Sequence, residues 1–317
     1  MIIANPIYDT VFKRLMENKR IASFFVETLI GEKIVDIAMV PQEYTYYSKE
    51  KQKKRDEDRK DEPEKKDDYV ILSIIRFDFV ATIRTAEGEN KKVLIEIQKS
   101  NKATDLVRFR TYLGEQYKLE DTIIVNGVPK EQSLPIVAIY MLGFTLSEIE
   151  AIAVKVNRTY IDIIYNNEIK NKDPFIESLT HDAYFIQIPY INRDIYTDWK
   201  ECSELKQMLS LFEQNYFVDE NFFKKYPYPI TNKNIKKMID TLAYIVADPK
   251  VKRAMQEEYW AAQNEIIWEN QVATLTNKVE TLSDENVTLT NTVTNQSSEI
   301  SKLRRLLQQA GIDIPTA

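Results

Sequence analysis

A heptad pattern between Val272 and Ala310 constrains the fold of this chain more than any other sequence feature. Two sets of positions each recur every seven residues. One set is Val272, Val279, Asn286, Val293, Ile300 and Leu307, and the other is Leu275, Leu282, Leu289, Gln296, Leu303 and Ala310. Residues at this spacing form one stripe along a helix, and that stripe packs against the same stripe of a second helix. The pattern therefore predicts a coiled-coil helix roughly 60 Å long, at about 1.5 Å per residue.

The residue types within the heptads indicate how such helices pair. β-Branched residues dominate the first set, leucine dominates the second, and Asn286 is a polar member of the first. This combination favours a parallel two-stranded coiled coil, so we expect a homodimer through residues 272–310. The alternative is a single helix that packs back on the globular part of the chain.

Composition limits the chemistry that the remaining residues can support. The 317 residues include one histidine, one cysteine and six glycines, and the formal net charge is −6. A single His181 excludes a multi-histidine metal centre, and a single Cys202 excludes a disulfide within the chain or a thiolate zinc cluster. No glycine-rich phosphate-binding motif occurs, so no nucleotide cofactor is expected. Without a secretory signal or an apolar run of about 20 residues, we expect a cytoplasmic protein with no membrane contact.

Two predicted strands carry isolated acids among apolar residues. The strands span residues 76–83 and 93–99, and side chains alternate between the two faces of a strand. Asp78 lies on one face of the first strand, while Glu96 and Gln98 share one face of the second. Apolar side chains share the faces that carry these three residues, and a carboxylate among apolar side chains in a strand is unusual.

The length of the loop between these strands decides whether the acids meet. An odd loop, such as 86–88 with Gly88 at positive φ, sets Asp78 opposite Glu96, whereas a two-residue loop puts them on opposite faces. Two carboxylates and an amide on an apolar face repel each other and are poorly solvated unless a cation joins them. The pattern thus outlines a site for a hard metal ion.

The elements around the hairpin predict an α/β unit with a mixed central sheet flanked by helices. Asn5-Pro6 is interpreted as the start of a first helix, and a second helix is expected to end at Gly31. A third predicted helix buries Leu106, Phe109, Leu113 and Tyr117, borders the sheet with Arg110, and points Arg108 and Tyr112 away. Further strands are predicted at 34–40, 43–47 and 134–144, and the last of these has the nearly unbroken apolar run of a strand buried on both faces.

The expected domain organisation follows from changes in composition. Residues 49–68 hold nine basic and nine acidic residues and are interpreted as a solvated insertion, with a DNA-touching arm as the alternative. After residue 147 we expect a mixed, mainly helical region that includes one or two strands at 151–165 and another at 184–191, with His181 in a polar loop before the latter. The predicted division is a core at 1–146, an accessory region at 147–254, a long helix and coiled coil at 255–310, and a tail at 311–317.

The ordered set of motifs resembles the PD-(D/E)XK nuclease superfamily, specifically its bacterial transposase-like, recombination-promoting family. The resemblance rests on Asp78 with Glu96-Ile97-Gln98-Lys99, on the opening segment Asp9-Thr-Val-Phe-Lys13, and on residues 104–117 after the second acidic strand. It covers residues 5 to about 145. The resemblance implies a restriction-endonuclease-like core, followed here by the helical region and the coiled coil.

Carried over residue by residue, the resemblance implies that Asp78, Glu96 and the Ile97 carbonyl bind Mg²⁺, with Mn²⁺ as a substitute. Magnesium prefers oxygen ligands and acidifies a bound water into a nucleophile for phosphodiester hydrolysis. Gln98 stands where the family usually has lysine, so it can orient water but supplies neither a base nor a positive charge. We expect Arg110 to supply that charge because its helix borders the sheet, with Lys102 or Lys13 as alternatives.

The predicted function is a Mg²⁺-dependent DNA endonuclease that dimerises through its coiled coil. Residues interpreted as DNA contacts are Lys13, Lys99, Lys102, Arg108 and Tyr112, although Lys13 could equally form a salt bridge. The acids Asp78 and Glu96 could instead belong to structural ion pairs with Arg76 or Arg110. The rival hypothesis is a catalytically inactive interaction protein that keeps the nuclease fold and uses the coiled coil as a scaffold.

Overall fold

The structure is a computed structural model that describes residues 1–39, 45–48, 71–74, 79–98, 106–125, 127–193, 199, 202–219 and 222–311. The fold is mixed α/β, with a six-stranded mixed sheet and a 61-residue C-terminal helix. The predicted insertion at 49–68 lies outside the described residues.

Strands and helices are interspersed along the chain up to the long C-terminal helix. The strands are β1 (Ile2–Ala4), β2 (Ile34–Met39), β3 (Thr45–Ser48), β4 (Ile71–Ile74), β5 (Phe79–Thr85), β6 (Asn90–Gln98), β7 (Asp121–Val125), β8 (Val128–Gln132), β9 (Ile136–Leu142), β10 (Ala153–Val156), β11 (Tyr160–Asp162), β12 (Asn167–Ile169), β13 (His181–Gln187), β14 (Phe217–Asp219) and β15 (Phe223–Lys225). The helices are α1 (Asp9–Met16), α2 (Lys19–Ile30), α3 (Leu106–Tyr117), α4 (Pro174–Leu179), α5 (Ile188–Arg193), α6 (Glu204–Leu209), α7 (Lys233–Val246) and α8 (Pro249–Gln309), with a 3-10 turn at Ser210–Phe212.

The main sheet has the strand order β10-β13-β9-β6-β5-β2. Strands β6, β9 and β13 run parallel, whereas β5, β2 and β10 are each antiparallel to their neighbour. All seven residues of β9 are buried, which confirms the predicted strand with two covered faces. The predicted helices, the β5–β6 hairpin, α3 and β9 follow one another in the expected order, but the sequence patterns did not predict β1 or the β7–β8 pair that lies between α3 and β9.

Strands from beyond residue 146 complete this sheet. The predicted strand at 184–191 begins earlier, at His181, and its last part is the helix α5. β13 pairs with β9 along seven residues, so the region expected to be mainly helical contributes to the central sheet as well. The start of β13 was difficult to predict because His181 and Asp182 are residue types that are common in loops. They belong to the strand because they pair with the buried strand β9.

The turn between β5 and β6 has an odd number of residues, which is one of the two loop lengths that the sequence left open. Thr85 N donates to Glu89 O at 2.9 Å around residues 86–88, and Gly88 has φ +89°. The ladder then runs without a break from Arg84 opposite Asn90 to Phe79 opposite Ile95. The described hairpin therefore has the register on which the opposition of the two acids depends, although Asp78 itself lies outside the described residues.

We expect Gly88→Ala to lower the free energy of unfolding by about 1 kcal/mol, because an L-residue is strained at this positive φ. Gly114→Ala is a matched control, since Gly114 lies inside α3 and an added Cβ there meets nothing within 4 Å. That change should raise the free energy of unfolding by about 0.5–1 kcal/mol. Urea denaturation measures both, and a Gly88→Ala protein at least as stable as the parent would contradict the turn.

Helices α1 and α2 cover one face of the sheet. The ring of Phe12 lies 6.4 Å from that of Phe79, and the hydroxyl of Tyr184 donates to the carbonyl of Ile30 at 3.1 Å. The end of α2 at Gly31 is confirmed, with φ +74°. The predicted helix start at Asn5-Pro6 is wrong.

Helix α1 begins three residues later than predicted, because its N-terminus is satisfied by a distant carboxylate. The backbone N–H groups of Asp9 and Thr10 each donate to the Glu258 carboxylate at 2.9 Å. A negative group at this position also complements the helix dipole. Asn5, upstream of the helix, instead exchanges side-chain hydrogen bonds with Gln214. No local pattern in the sequence predicts a capping residue that lies 248 residues away in the chain.

Helix α3 covers the other face of the sheet. Tyr112, Leu113 and Tyr117 pack on the buried cluster Val80, Leu94 and Ile136. Two details of the prediction are wrong: Tyr112 faces the sheet rather than solvent, and Leu106 is 61% exposed rather than buried. Leu106 is the first described residue of α3, whereas Tyr112 lies in its middle, beside Leu113 on the face that packs on the cluster.

The chain divides into two compact units, Met1–Glu258 and Tyr259–Ala317. The six-stranded sheet belongs to the first unit, and the described residues of the second are the continuation of α8 from Tyr259 and the turn that follows it. None of the helices in the described ranges combines the length and the apolar character needed to cross a membrane.

Candidate functional site

The candidate site lies on the α3 face of the sheet, at the carboxyl ends of its parallel strands. In the register of β6, β9 and β13, Glu96 is next to Tyr140, and Tyr140 is next to Phe185. The rings of Tyr140 and Phe185 are stacked with centroids 5.1 Å apart, and Phe109 from α3 lies 5.2 Å from Tyr140. The Glu96 side chain thus lies beside an aromatic layer, and the residue is 4% exposed.

The charge of the nearby Glu96 carboxylate affects the pKa of Tyr140. Burial, the charge of Glu96 and the neighbouring Tyr117 together raise the pKa of Tyr140 to about 12. Burial is the largest of these causes, because a phenolate is poorly solvated between packed aromatic rings. Tyr140 is therefore a neutral hydroxyl at physiological pH, able to donate or accept a hydrogen bond beside Glu96.

The predicted metal ligands fall partly inside the described residues. Glu96 and Ile97 are adjacent in β6, with the Ile97 side chain on the face opposite α3, so that its main-chain carbonyl is what it can offer to a metal. A carboxylate and a carbonyl are oxygen donors of the kind that Mg²⁺ prefers, so these two residues fit such an ion. No group of three or more acidic, histidine or cysteine side chains suited to a metal occurs within the described ranges, from which Asp78 is missing.

The other predicted catalytic residues lie on β6 and α3. Gln98 is the last residue of β6 and shares the ladder with Leu142 of β9, while its side chain is outside the described part. Arg110 lies on α3 and is exposed, and its predicted role toward a phosphate stays a prediction. The structure therefore packs the helix that carries Arg110 on the sheet face to which Glu96 belongs.

The predicted DNA contacts have different outcomes. Lys13 forms an i,i+4 salt bridge with Asp9 at 2.7 Å, and its helix α1 covers the face opposite Glu96. The segment that resembles the family's opening motif therefore forms the first part of α1, in which Asp9 and Lys13 pair with each other. Tyr112 packs on the sheet, and the Arg108 side chain, Lys99 and Lys102 lie outside the described part of the structure.

A buried ion pair lies at the other end of the same sheet face. Lys92 Nζ is 2.7 Å from Asp121 Oδ1, and the side chains are 3% and 7% exposed. This pair joins β6 to the start of β7, which follows α3 in the chain. Sequence reasoning missed it because Lys92 reads as a solvated residue at the start of a strand. The alternation Lys92, Leu94, Glu96 was the available signal, since it places the lysine on the covered face.

His181 and Tyr117 form a second polar contact at this end. The Tyr117 hydroxyl lies 3.0 Å from His181 Nδ1, and Arg158 binds Asp182 at 2.9 Å beside them. Burial raises the pKa of Tyr117 and lowers the pKa of His181, and the nearby Arg158 charge adds to the lowering. The predicted loop position of His181 is wrong, because His181 is the first residue of β13.

We expect acid to destabilise the protein through His181. Its folded pKa lies below the ordinary 6.5, so the unfolded chain takes up the proton first, and stability falls as pH drops from about 6.5 toward the folded pKa. The chain has one histidine, so NMR of the imidazole reports its pKa directly. The stability difference between His181→Gln and the parent, from urea denaturation at about pH 8 and about pH 5.5, isolates this contribution. An imidazole pKa above 6.5 would reverse the expected sign.

Comparisons of the chain with protein-family models, with curated proteins and with solved structures found no match to any of them.

Proposed function

We propose that this chain is a Mg²⁺-dependent DNA endonuclease with a restriction-endonuclease-like core, in which Asp78 and Glu96 hold the metal ion. The observation that carries the proposal is the register of β5 and β6. Six consecutive pairs run from Arg84 with Asn90 to Phe79 with Ile95, and continuation by one pair sets Asp78 opposite Glu96. That continuation is part of the proposal.

The surroundings of Glu96 support a role for its carboxylate. The residue lies near the carboxyl end of a central strand in a mixed sheet, where α/β proteins commonly bind ligands. It is buried beside Tyr140, in a setting of low polarity that strengthens the attraction between a carboxylate and a cation. A carboxylate at such a position is well suited to a divalent ion.

Each residue then has a defined task in phosphodiester hydrolysis. Mg²⁺ bound there supplies a more acidic water and neutralises phosphate charge. Asp78, Glu96 and the Ile97 carbonyl hold the ion, and the Gln98 amide orients the attacking water by hydrogen bonds. Arg110, exposed on α3, is the cation proposed to face the phosphate in place of the motif lysine.

Metal binding tests the proposal directly. Calorimetric titration of the purified full chain with Mn²⁺ or Mg²⁺ should show one saturable site that is lost in both Asp78→Asn and Glu96→Gln. Glu32→Gln is a matched control, because Glu32 is a partly buried carboxylate that is already paired with Lys91 at 2.7 Å. Binding that survives in both site variants would remove the proposed metal site.

A catalytically inactive interaction protein is the second candidate. It is favoured by the exposed apolar stripe of α8, since Leu275, Leu282 and Leu289 are each more than half exposed. Gln98→Lys separates the candidates, because it restores the lysine of the motif that the chain resembles. An inactive scaffold that lost only this group should gain Mg²⁺-dependent plasmid cleavage, whereas a chain that cleaves before the change is an enzyme as it stands.

A further inference from the structure

The second unit exposes an apolar stripe along α8. Its heptad positions Val272, Leu275, Val279, Leu282, Leu289, Val293, Ile300, Leu303 and Leu307 are between 38% and 66% exposed. Large apolar side chains that recur along one line, with only Asn286 and Gln296 as polar positions among them, mark an interaction surface rather than scattered surface residues. We name these residues, together with Asn286, Gln296 and Ala310, the α8 seam.

The exposed residues of α8 contribute little to the stability of an unpaired helix. Seven threonines of this segment donate their hydroxyls to the carbonyl four residues earlier: Thr274, Thr276, Thr281, Thr288, Thr290, Thr292 and Thr294. Such threonines have low helix propensity and slightly destabilise a helix. Because most helical stability comes from packing an apolar face, this helix needs an occupant for its seam.

We propose that the occupant is a second copy of this chain, aligned parallel and in register along the α8 seam. In that arrangement the two polar layers are matched, with Asn286 against Asn286 and Gln296 against Gln296 of the second copy. Flanking positions decide between this arrangement and its antiparallel alternative. In a parallel pair, the residue that precedes a core position of the Val272 set faces the residue numbered five higher on the second helix, so that residue 299 faces residue 304.

The charges beside the seam favour the parallel arrangement. Parallel alignment brings Glu299 of each copy against Arg304 of the other, which makes two attractive contacts per dimer. The antiparallel register that pairs Asn286 with Gln296 instead sets Glu285 beside Glu299 of the second copy, which makes two repulsive contacts. Both arrangements bury the same apolar stripe, so the electrostatic difference selects between them.

One substitution has opposite effects in the two arrangements. Glu299→Lys faces Arg304 with a like charge in the parallel dimer, and we expect the dissociation constant of the dimer to rise about tenfold at low salt. In the antiparallel dimer the same change removes the repulsion with Glu285 and tightens association. Glu280→Lys is the matched control, since Glu280 is exposed and lies off the seam and its flanks. Sedimentation equilibrium of the full chain measures all three proteins.

Charge reversal and cross-linking complete the test. Glu299→Lys combined with Arg304→Glu should restore the dimer, because the attractive pair is rebuilt with opposite signs. In a Cys202→Ser background, Val272→Cys should form a disulfide dimer, which the antiparallel arrangement prevents by holding the two cysteines more than about 50 Å apart. A tighter or unchanged Glu299→Lys dimer would overturn the parallel alignment, and a chain that remains monomeric above about 100 μM would overturn self-association.

Discussion

Glu96→Gln is expected to lower Mg²⁺-dependent cleavage of plasmid DNA by roughly 10³-fold, while the protein stays folded. The change removes one negative charge from the proposed metal site and keeps the size of the side chain. A bound metal contributes several kcal/mol to catalysis of hydrolysis, and each 1.36 kcal/mol is a tenfold change in rate. Asp78→Asn should produce a similar loss, because both carboxylates are proposed to hold the same ion.

Two readouts separate a lost ligand from a damaged fold. Glu32→Gln carries the same chemical change at a residue paired with Lys91 and should retain the cleavage activity of the parent. The Tyr140 pKa should fall from about 12 in Glu96→Gln, because the carboxylate charge is one of the causes that raise it. NMR of labelled tyrosine measures that shift without any substrate. Undiminished cleavage together with a lowered Tyr140 pKa would show that Glu96 is buried beside Tyr140 but has no part in catalysis.

Lys92→Met is expected to lower the free energy of unfolding by about 3–5 kcal/mol. It removes the cation that lies 2.7 Å from Asp121 and leaves that carboxylate without its cation at a position that is 7% exposed. Breaking one side of a buried ion pair costs this much because the remaining charge is poorly solvated. Urea denaturation of the full chain, followed by circular dichroism, measures the loss.

A second substitution should return most of this stability. Lys92→Met with Asp121→Leu replaces the pair by apolar side chains, which is often neutral or stabilising at buried sites. Lys118→Met is the surface control, since Lys118 is 66% exposed in its 2.7 Å contact with Glu115 and should change stability by about 1 kcal/mol at most. Equal losses for the Lys92 and Lys118 variants would contradict the burial of the Lys92–Asp121 pair.

Parts of the fold could be predicted because their causes lie within a few residues of the chain. The apolar run at β9, the turn at Gly88 and the helix end at Gly31 each have a cause within a few residues: full burial, positive φ, and a left-handed cap. For the candidate site, the alternation within β6 predicted that Glu96 and Gln98 share a face. The structure adds that the face of Glu96 also carries Lys92 and is covered by α3.

Other features depend on contacts between residues far apart in the chain. Helix α1 begins at Asp9 because Glu258 caps it, and Tyr112 faces inward because Val80, Leu94 and Ile136 form a cluster below it. His181 belongs to a strand because β9 offers a neighbouring edge for pairing. Local propensity is too weak to specify such positions, since tertiary packing and hydrogen bonding outweigh it.

The sequence by itself determined the elements whose signals are local: the buried strand β9, the end of α2 at Gly31 and the long C-terminal helix with its heptad stripe. Only the tertiary structure decided which residues surround Glu96, namely the aromatic layer through Tyr140, and which ion pair lies at the far end of the same face. The physical reason is that period and turn chemistry act over a few residues, whereas burial and charge pairing depend on strand order. That order pairs His181 of β13 with Ile136 of β9, and local sequence patterns carry no information about pairing between residues so far apart in the chain.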